Sequence, residues 1–147
     1  MSMLNGFRIC PTTGLKVDPA AEKLIKANAV AAVVFLAIGG LFGLLVALTR
    51  WPAVHLLDAE WFYLALTAHG LDVLLVWIIF FEMAVLYFAS AILLNSRLAT
   101  PRWAWTGFWM MLVGALIVNG AVLAGNSSVM FTSYVPCLLY TSDAADE

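Results

Sequence analysis

Long apolar runs broken by short polar punctuation dominate the chain. They cover about residues 27–48, 61–94 and 103–123. At about 1.5 Å of rise per residue, a helix over any of them is long enough to cross roughly 30 Å of hydrocarbon. Arg50-Trp51-Pro52 ends the first run, and residues 95–102 form a turn in which Pro101 opens the third helix. Gly125-Asn126-Ser127-Ser128 is a natural exit after it. The second run exceeds what a perpendicular crossing needs, which predicts tilt or extra turns outside the bilayer. The pattern therefore predicts an all-α integral membrane bundle of three transmembrane helices. Residues 1–26 are a polar N-terminal tail, 27–136 the transmembrane region, and 137–147 a segment apart.

Composition supports a lipid solvent. Of 147 residues, 64% are hydrophobic and 11% charged, too few charges to clothe a soluble core of this size. Of the charged side chains, Asp72 and Glu82 alone fall inside the apolar runs. The net charge of -2 becomes about +1 once Asp143, Asp146 and Glu147 are set aside (-2 + 3). No basic stripe with interleaved aromatics is present, which excludes a nucleic-acid partner. Cys10 and Cys137 sit at opposite ends, offering neither a disulfide framework nor a paired metal motif.

Basic residues set the expected orientation. Arg8, Lys16, Lys23 and Lys26 precede the first span and Arg97 and Arg102 lie in the second loop, against Arg50 alone in the first loop. The positive-inside rule places the N-terminus in the cytoplasm. The apolar run after Lys26 is too long for a signal-peptide core, so the first helix is expected to be retained. Trp51, Trp61, Tyr63, Trp103 and Trp105 gather near span ends, where amphipathic rings favour the headgroup region. Gly39 and Gly43 make a GxxxG pair that lets a neighbouring helix approach closely.

His69 is the residue that carries candidate chemistry. A polar ring at membrane depth costs free energy unless it is hydrogen-bonded or coordinated. On an uninterrupted α-helix, Val73, Val76, Phe80, Met83 and Tyr87 fall within about 40° of it, an apolar wall suited to a flat macrocycle. Gly70 offers room beside the ring. From this face alone, a helix-to-helix hydrogen bond is the more ordinary explanation of His69. Asp72, about 60° off the line, can accept from the second ring nitrogen or serve a proton path, and Glu82, about 140° away, serves another surface. Asn119 is expected to be interhelical glue, and His55 an unliganded loop histidine. No phosphate loop, zinc spacing or nucleophile-base pair occurs in the sequence, so no complete active site can be assembled.

The order of features is more specific than any one of them. Gly39-Gly40-Leu41-Phe42-Gly43, then Trp61-Phe62-Tyr63-Leu64-Ala65-Leu66-Thr67-Ala68-His69-Gly70, then Asn126-Ser127-Ser128-Val129-Met130-Phe131-Thr132-Ser133-Tyr134-Val135-Pro136 resembles the first three helices of subunit I of the haem-copper terminal oxidases, most of all the ba3-like, or B-type, branch. The resemblance covers residues 23–136. It implies that His69 is an axial ligand of the low-spin haem iron. It also implies that the parent is a subunit of roughly a dozen helices that reduces dioxygen to water at a high-spin haem and copper, coupled to proton translocation. The remaining haem and copper ligands would come from later helices. Subunit II, a cytochrome c or quinol donor and a prokaryotic plasma membrane are the implied partners and setting. Nitric oxide reductases share the same plan and are the alternative within the superfamily. A non-enzymatic three-helix subunit and a transporter piece using Asp72 and Glu82 are the alternatives outside it.

The resemblance stops at Pro136. Residues 137–147, Cys137-Leu138-Leu139-Tyr140-Thr141-Ser142-Asp143-Ala144-Ala145-Asp146-Glu147, look like a translated sequencing-library adapter. On this reading the chain is an N-terminal fragment with a non-native tail, and is inactive alone.

Overall fold

The computed structural model describes Met3, Leu4 and residues 6–125. Helices account for most of these residues, as the apolar runs predict. α1 spans Pro19–Arg50 and α2 Ala59–Leu71; α2 passes through a π-helical segment, Asp72–Val76, into α3, Trp77–Phe88. A second π-helical segment, Ala89–Leu93, closes that span, and α4 covers Pro101–Leu123. Pro19–Arg50, Ala59–Leu93 and Pro101–Leu123 are each long and apolar enough to cross a membrane. Only 17%, 17% and 11% of their most apolar windows is buried within the chain. Side chains such as Leu41, Met110 and Ile117 face outward, the arrangement of a bundle whose solvent is lipid.

Local chemistry sets the helix ends. Asp18 precedes α1 and its Oδ1 accepts from the Ala20 amide at 3.2 Å, while Pro19, which has no N–H to leave unpaired, takes the first helical position. Glu22 in the first turn pairs with Lys26 at 2.7 Å and Arg8 at 2.6 Å. α1 therefore begins eight residues before residue 27 (27 − 19): hydropathy marks where lipid begins, whereas the cap marks where the helix begins. Trp51-Pro52 ends it, because proline supplies no donor and restricts the residue before it. Asp58 caps α2 by accepting from the Trp61 amide at 3.2 Å. Asn95, in the left-handed region at φ 51°, turns the chain out of the second span.

The polar tail holds structure that its composition did not announce. β1 (Met3–Leu4), β2 (Phe7–Ile9) and β3 (Lys16–Val17) form an antiparallel three-stranded sheet in the order β1-β2-β3. Arg8 pairs with Met3 on one side and Val17 on the other.

The chain divides into two compact units. One holds the chain up to Val33 together with Trp77–Val113. Its core contains Val17, Leu24, Phe80, Ala84, Ile92 and Phe108, with the Phe80 and Phe108 rings edge to face at 5.9 Å. Here the Leu98 amide donates to Asp18 Oδ2 at 3.0 Å, and the Arg97 guanidinium lies 4.9 Å from the Phe7 ring centre. The other unit holds Val34–Val76 and the described residues from Gly114 onward. Leu64, Ala65, Ala68, Asp72 and Val122 are buried in it, and it carries the candidate site.

Candidate functional site

His69 lies in the last turn of α2, half-buried, with its ring against α1. Two glycines of α1 make that approach possible. A Cβ on Gly43 would lie 2.7 Å from His69 Cε1 and 2.8 Å from Nδ1. A Cβ on Gly39 would lie 2.7 Å from Val73 Cγ2 and 2.9 Å from Asp72 Cβ. The GxxxG pair is thus the surface on which α2 and the π-segment rest, and Gly40, facing open space, takes no part.

Removing side chains from α1 also exposes its backbone. His69 Nδ1 is 2.8 Å from the Gly39 carbonyl oxygen. A carbonyl only accepts, so Nδ1 carries the proton, and in the neutral ring Nε2 presents its lone pair. An imidazole anchored through Nδ1–H to a backbone carbonyl, with a free Nε2 lone pair, is the form that binds a metal ion. Of the two roles open to Asp72, acceptor for a His69 ring nitrogen or member of a proton path, the first is taken at Nδ1 by the backbone of Gly39.

Asp72 opens the π-segment and is completely buried. Its Oδ1 accepts from Asn119 Nδ2 at 2.9 Å, and the same nitrogen donates to the Ala115 carbonyl at 3.0 Å. Asn119 is therefore interhelical glue, with Asp72 as its partner. Asp72 Oδ2 is buried with no hydrogen-bond partner among the described residues. π-Segments of this kind recur at functional sites because the extra residue per turn frees backbone groups and re-aims side chains.

That extra residue also breaks the apolar stripe expected on an unbroken α-helix. The 100° spacing does not carry from His69 through Asp72–Val76 to Phe80, Met83 and Tyr87. Within the site, Val73 is the member of the stripe that meets α1.

Glu82 lies in α3 outside this unit and is exposed. His55 sits in the loop after α1 at φ 41°. Cys10, in the tail beyond the sheet strand β2, has its thiol pKa lowered, first by the Thr13 side-chain hydrogen bond and then by backbone bonds at Thr13 and Thr12. Among the described residues no three His, Cys, Asp or Glu side chains gather as a metal cluster. Cys137, Asp143 and the segment ending at Tyr134-Val135-Pro136 lie outside the described residues.

Three apolar helices define a multi-pass membrane protein, and a glycine-seated histidine lies on its second apolar span. Residues 23–144 match the model of the family Cytochrome C and Quinol oxidase polypeptide I, and the chain belongs to that family. The match runs eight residues past Pro136 (144 − 136). A similar curated protein is an uncharacterized protein of Aquifex aeolicus (strain VF5), 30% identical over 106 residues, which are 71% of this chain and 25% of that protein. The chain thus spans about a quarter of that relative's length. No solved structure matches the chain.

Proposed function

We propose that this chain is the N-terminal part of a respiratory terminal oxidase catalytic subunit of the B-type branch, and that His69 Nε2 is an axial ligand of its low-spin haem iron. The observation that carries the reading is the hydrogen bond from His69 Nδ1 to the Gly39 carbonyl, which fixes the ligating tautomer. A low-spin haem supplies one-electron transfer when bound. The protein's own work is positional. Gly43 leaves room for the ring, Gly39 holds its orientation, and the Asp72–Asn119 bond ties the following π-segment to α4. A single imidazole from these helices fits one axial position. In the parent subunit the second axial ligand, the high-spin haem ligand and the copper ligands come from later helices, and the reaction is dioxygen reduction to water coupled to proton translocation.

Asp72 and Glu82 are assigned to proton paths, Asp72 because it is a buried acid with an unpaired oxygen inside a π-segment. The same reading makes subunit II and a cytochrome c or quinol donor the partners, and a prokaryotic plasma membrane with a cytoplasmic N-terminus the setting. Residues 1–26 then form the cytoplasmic tail and 27–136 the transmembrane region. On the same reading residues 137–147 are an adapter-derived tail, against which stands the family match as far as residue 144, and the chain alone is inactive.

The test starts from a long read through codon 136 to the natural stop. The full-length subunit, expressed with and without His69→Ala, is then examined by reduced-minus-oxidised spectroscopy. The expected outcome is an open frame that adds further helices with several histidines, and loss of the low-spin haem band in the variant with the high-spin band retained. A stop codon at that point, or an unchanged low-spin spectrum in His69→Ala, overturns the reading.

A further inference from the structure

The loop joining α1 to α2 borders an open, largely apolar cavity in the same unit as His69. Its cavity has a volume of about 360 Å³, at the small end of ligand pockets, and is lined by Thr49, Arg50, His55, Phe62 and Tyr63 among others. The cavity lies where the first apolar span ends and the second begins, so it sits at the membrane–water border. Trp51 and Trp61 flank it at 58% and 53% exposure, the placement of headgroup-level anchors.

The lining is mostly apolar, with Thr49, Arg50, His55 and Tyr63 as its polar side chains and no acid among them. Arg50 is exposed and makes no ion pair among the described residues. Its guanidinium rests 5.5 Å from the Phe62 ring centre, a seat that holds the plane while leaving the N–H fork unpaired. His55 and Tyr63 line the same cavity. Thr49 contributes no donor, because its hydroxyl is committed to the Leu45 carbonyl at 2.8 Å. The nearby carboxylates are Asp58 and Glu60, and neither lines the cavity. Asp58 is engaged as the cap of α2. An acid-free cavity bordered by an unpaired arginine favours an oxyanion, and arginine matches phosphate oxygens two at a time. At the membrane border the abundant phosphate is that of the lipid.

We propose that this cavity binds the phosphate of a phospholipid headgroup, with Arg50 as the principal contact and Tyr63 and His55 as secondary donors. The assignment depends on membrane insertion and not on the role of His69. A bound lipid would fix the first loop against the bilayer and set the depth at which α2 enters it.

The test is native mass spectrometry of the full chain released from micelles containing phosphatidylglycerol, measuring lipid retained per chain. Arg50→Gln should weaken retention about tenfold or more, the scale of a charge-assisted bidentate contact. Tyr63→Phe should weaken it several-fold, and Arg102→Gln, at a loop in the other unit, should leave it unchanged. Diacylglycerol, which lacks the phosphate, should not be retained. Equal loss in Arg50→Gln and Arg102→Gln, or equal retention of diacylglycerol, overturns the proposal in favour of annular lipid. Complete displacement by millimolar inorganic phosphate overturns it in favour of a free-anion site. If Arg50→Gln fails to fold, Tyr63→Phe decides: wild-type retention there refutes the assignment.

Discussion

Gly43→Ala is the sharpest perturbation of the histidine site. The new methyl would stand 2.7 Å from His69 Cε1, where ordinary contact begins at 3.4 Å, so the ring must retreat by about 0.7 Å (3.4 − 2.7). Retreat along the hydrogen-bond direction stretches the 2.8 Å contact from Nδ1 to the Gly39 carbonyl to about 3.5 Å, the limit at which a hydrogen bond ceases to count. The lost bond is worth about 0.5–1.5 kcal/mol, with interhelical bonds in bilayers averaging about 0.6, and overpacking adds about 1 kcal/mol or more. Together these predict a weakening of α1 on α2 by about 1.5–2.5 kcal/mol. Gly40→Ala is the matched control, because a Cβ there meets nothing within 4 Å. The assay is reversible unfolding in mixed detergent–lipid micelles, with a fluorophore pair on α1 and α2, comparing the two alanine variants with the parent. Imidazole ¹⁵N spectra of His69 should also lose their strong preference for the Nδ1-protonated form in Gly43→Ala alone. Equal stability of the two variants, with unchanged ¹⁵N shifts, would refute the inference that Gly43 exists to admit the ring.

Three other outcomes are expected. Asn119→Leu strips Asp72 Oδ1 of its donor and should destabilise the bundle by about 1–3 kcal/mol, while Asp72→Leu with Asn119→Leu should recover most of that; a double variant as unstable as the single one rules out the pairing. Glu82 is exposed on an apolar span, so Glu82→Leu should make membrane insertion of that span more favourable by roughly 3 kcal/mol in a translocon assay, and no change would place the acid outside the hydrocarbon. In a Cys137→Ser background, the Cys10 thiol is held below its ordinary pKa first by the Thr13 side chain. Alkylation, which needs the thiolate, should therefore reach half its maximal rate at lower pH than in a model peptide, and Thr13→Ala should move that midpoint upward.

The parts legible in the sequence are those carried by side-chain polarity. Three apolar runs became three membrane-length helices, and His69 stood out because imidazole is rare in hydrocarbon. What stayed hidden was carried by backbone. The Gly39 carbonyl has no letter of its own; a glycine pair announces close approach without saying that its oxygen receives a histidine proton. The π-segments left no trace either, since Asp72–Val76 reads Asp-Val-Leu-Leu-Val and its helix is apolar on nearly every side, leaving no periodicity to slip. Asp72 and Asn119 were each visible, but 47 residues apart nothing joined them. The small sheet escaped because strands of two or three residues are too short to alternate.

The bond from the Leu98 amide to Asp18 has a consequence for how the chain enters a bilayer. It ties the foot of the first span to the turn before the third, so two crossings must separate them and both feet share one leaflet. The first two spans then behave as a hairpin closed at its base. Six of the seven basic residues, all but Arg50, belong to that base and its neighbouring turns. A hairpin with a charged, hydrogen-bonded foot is costly to pull through hydrocarbon, so the foot marks one border of the two crossings above it.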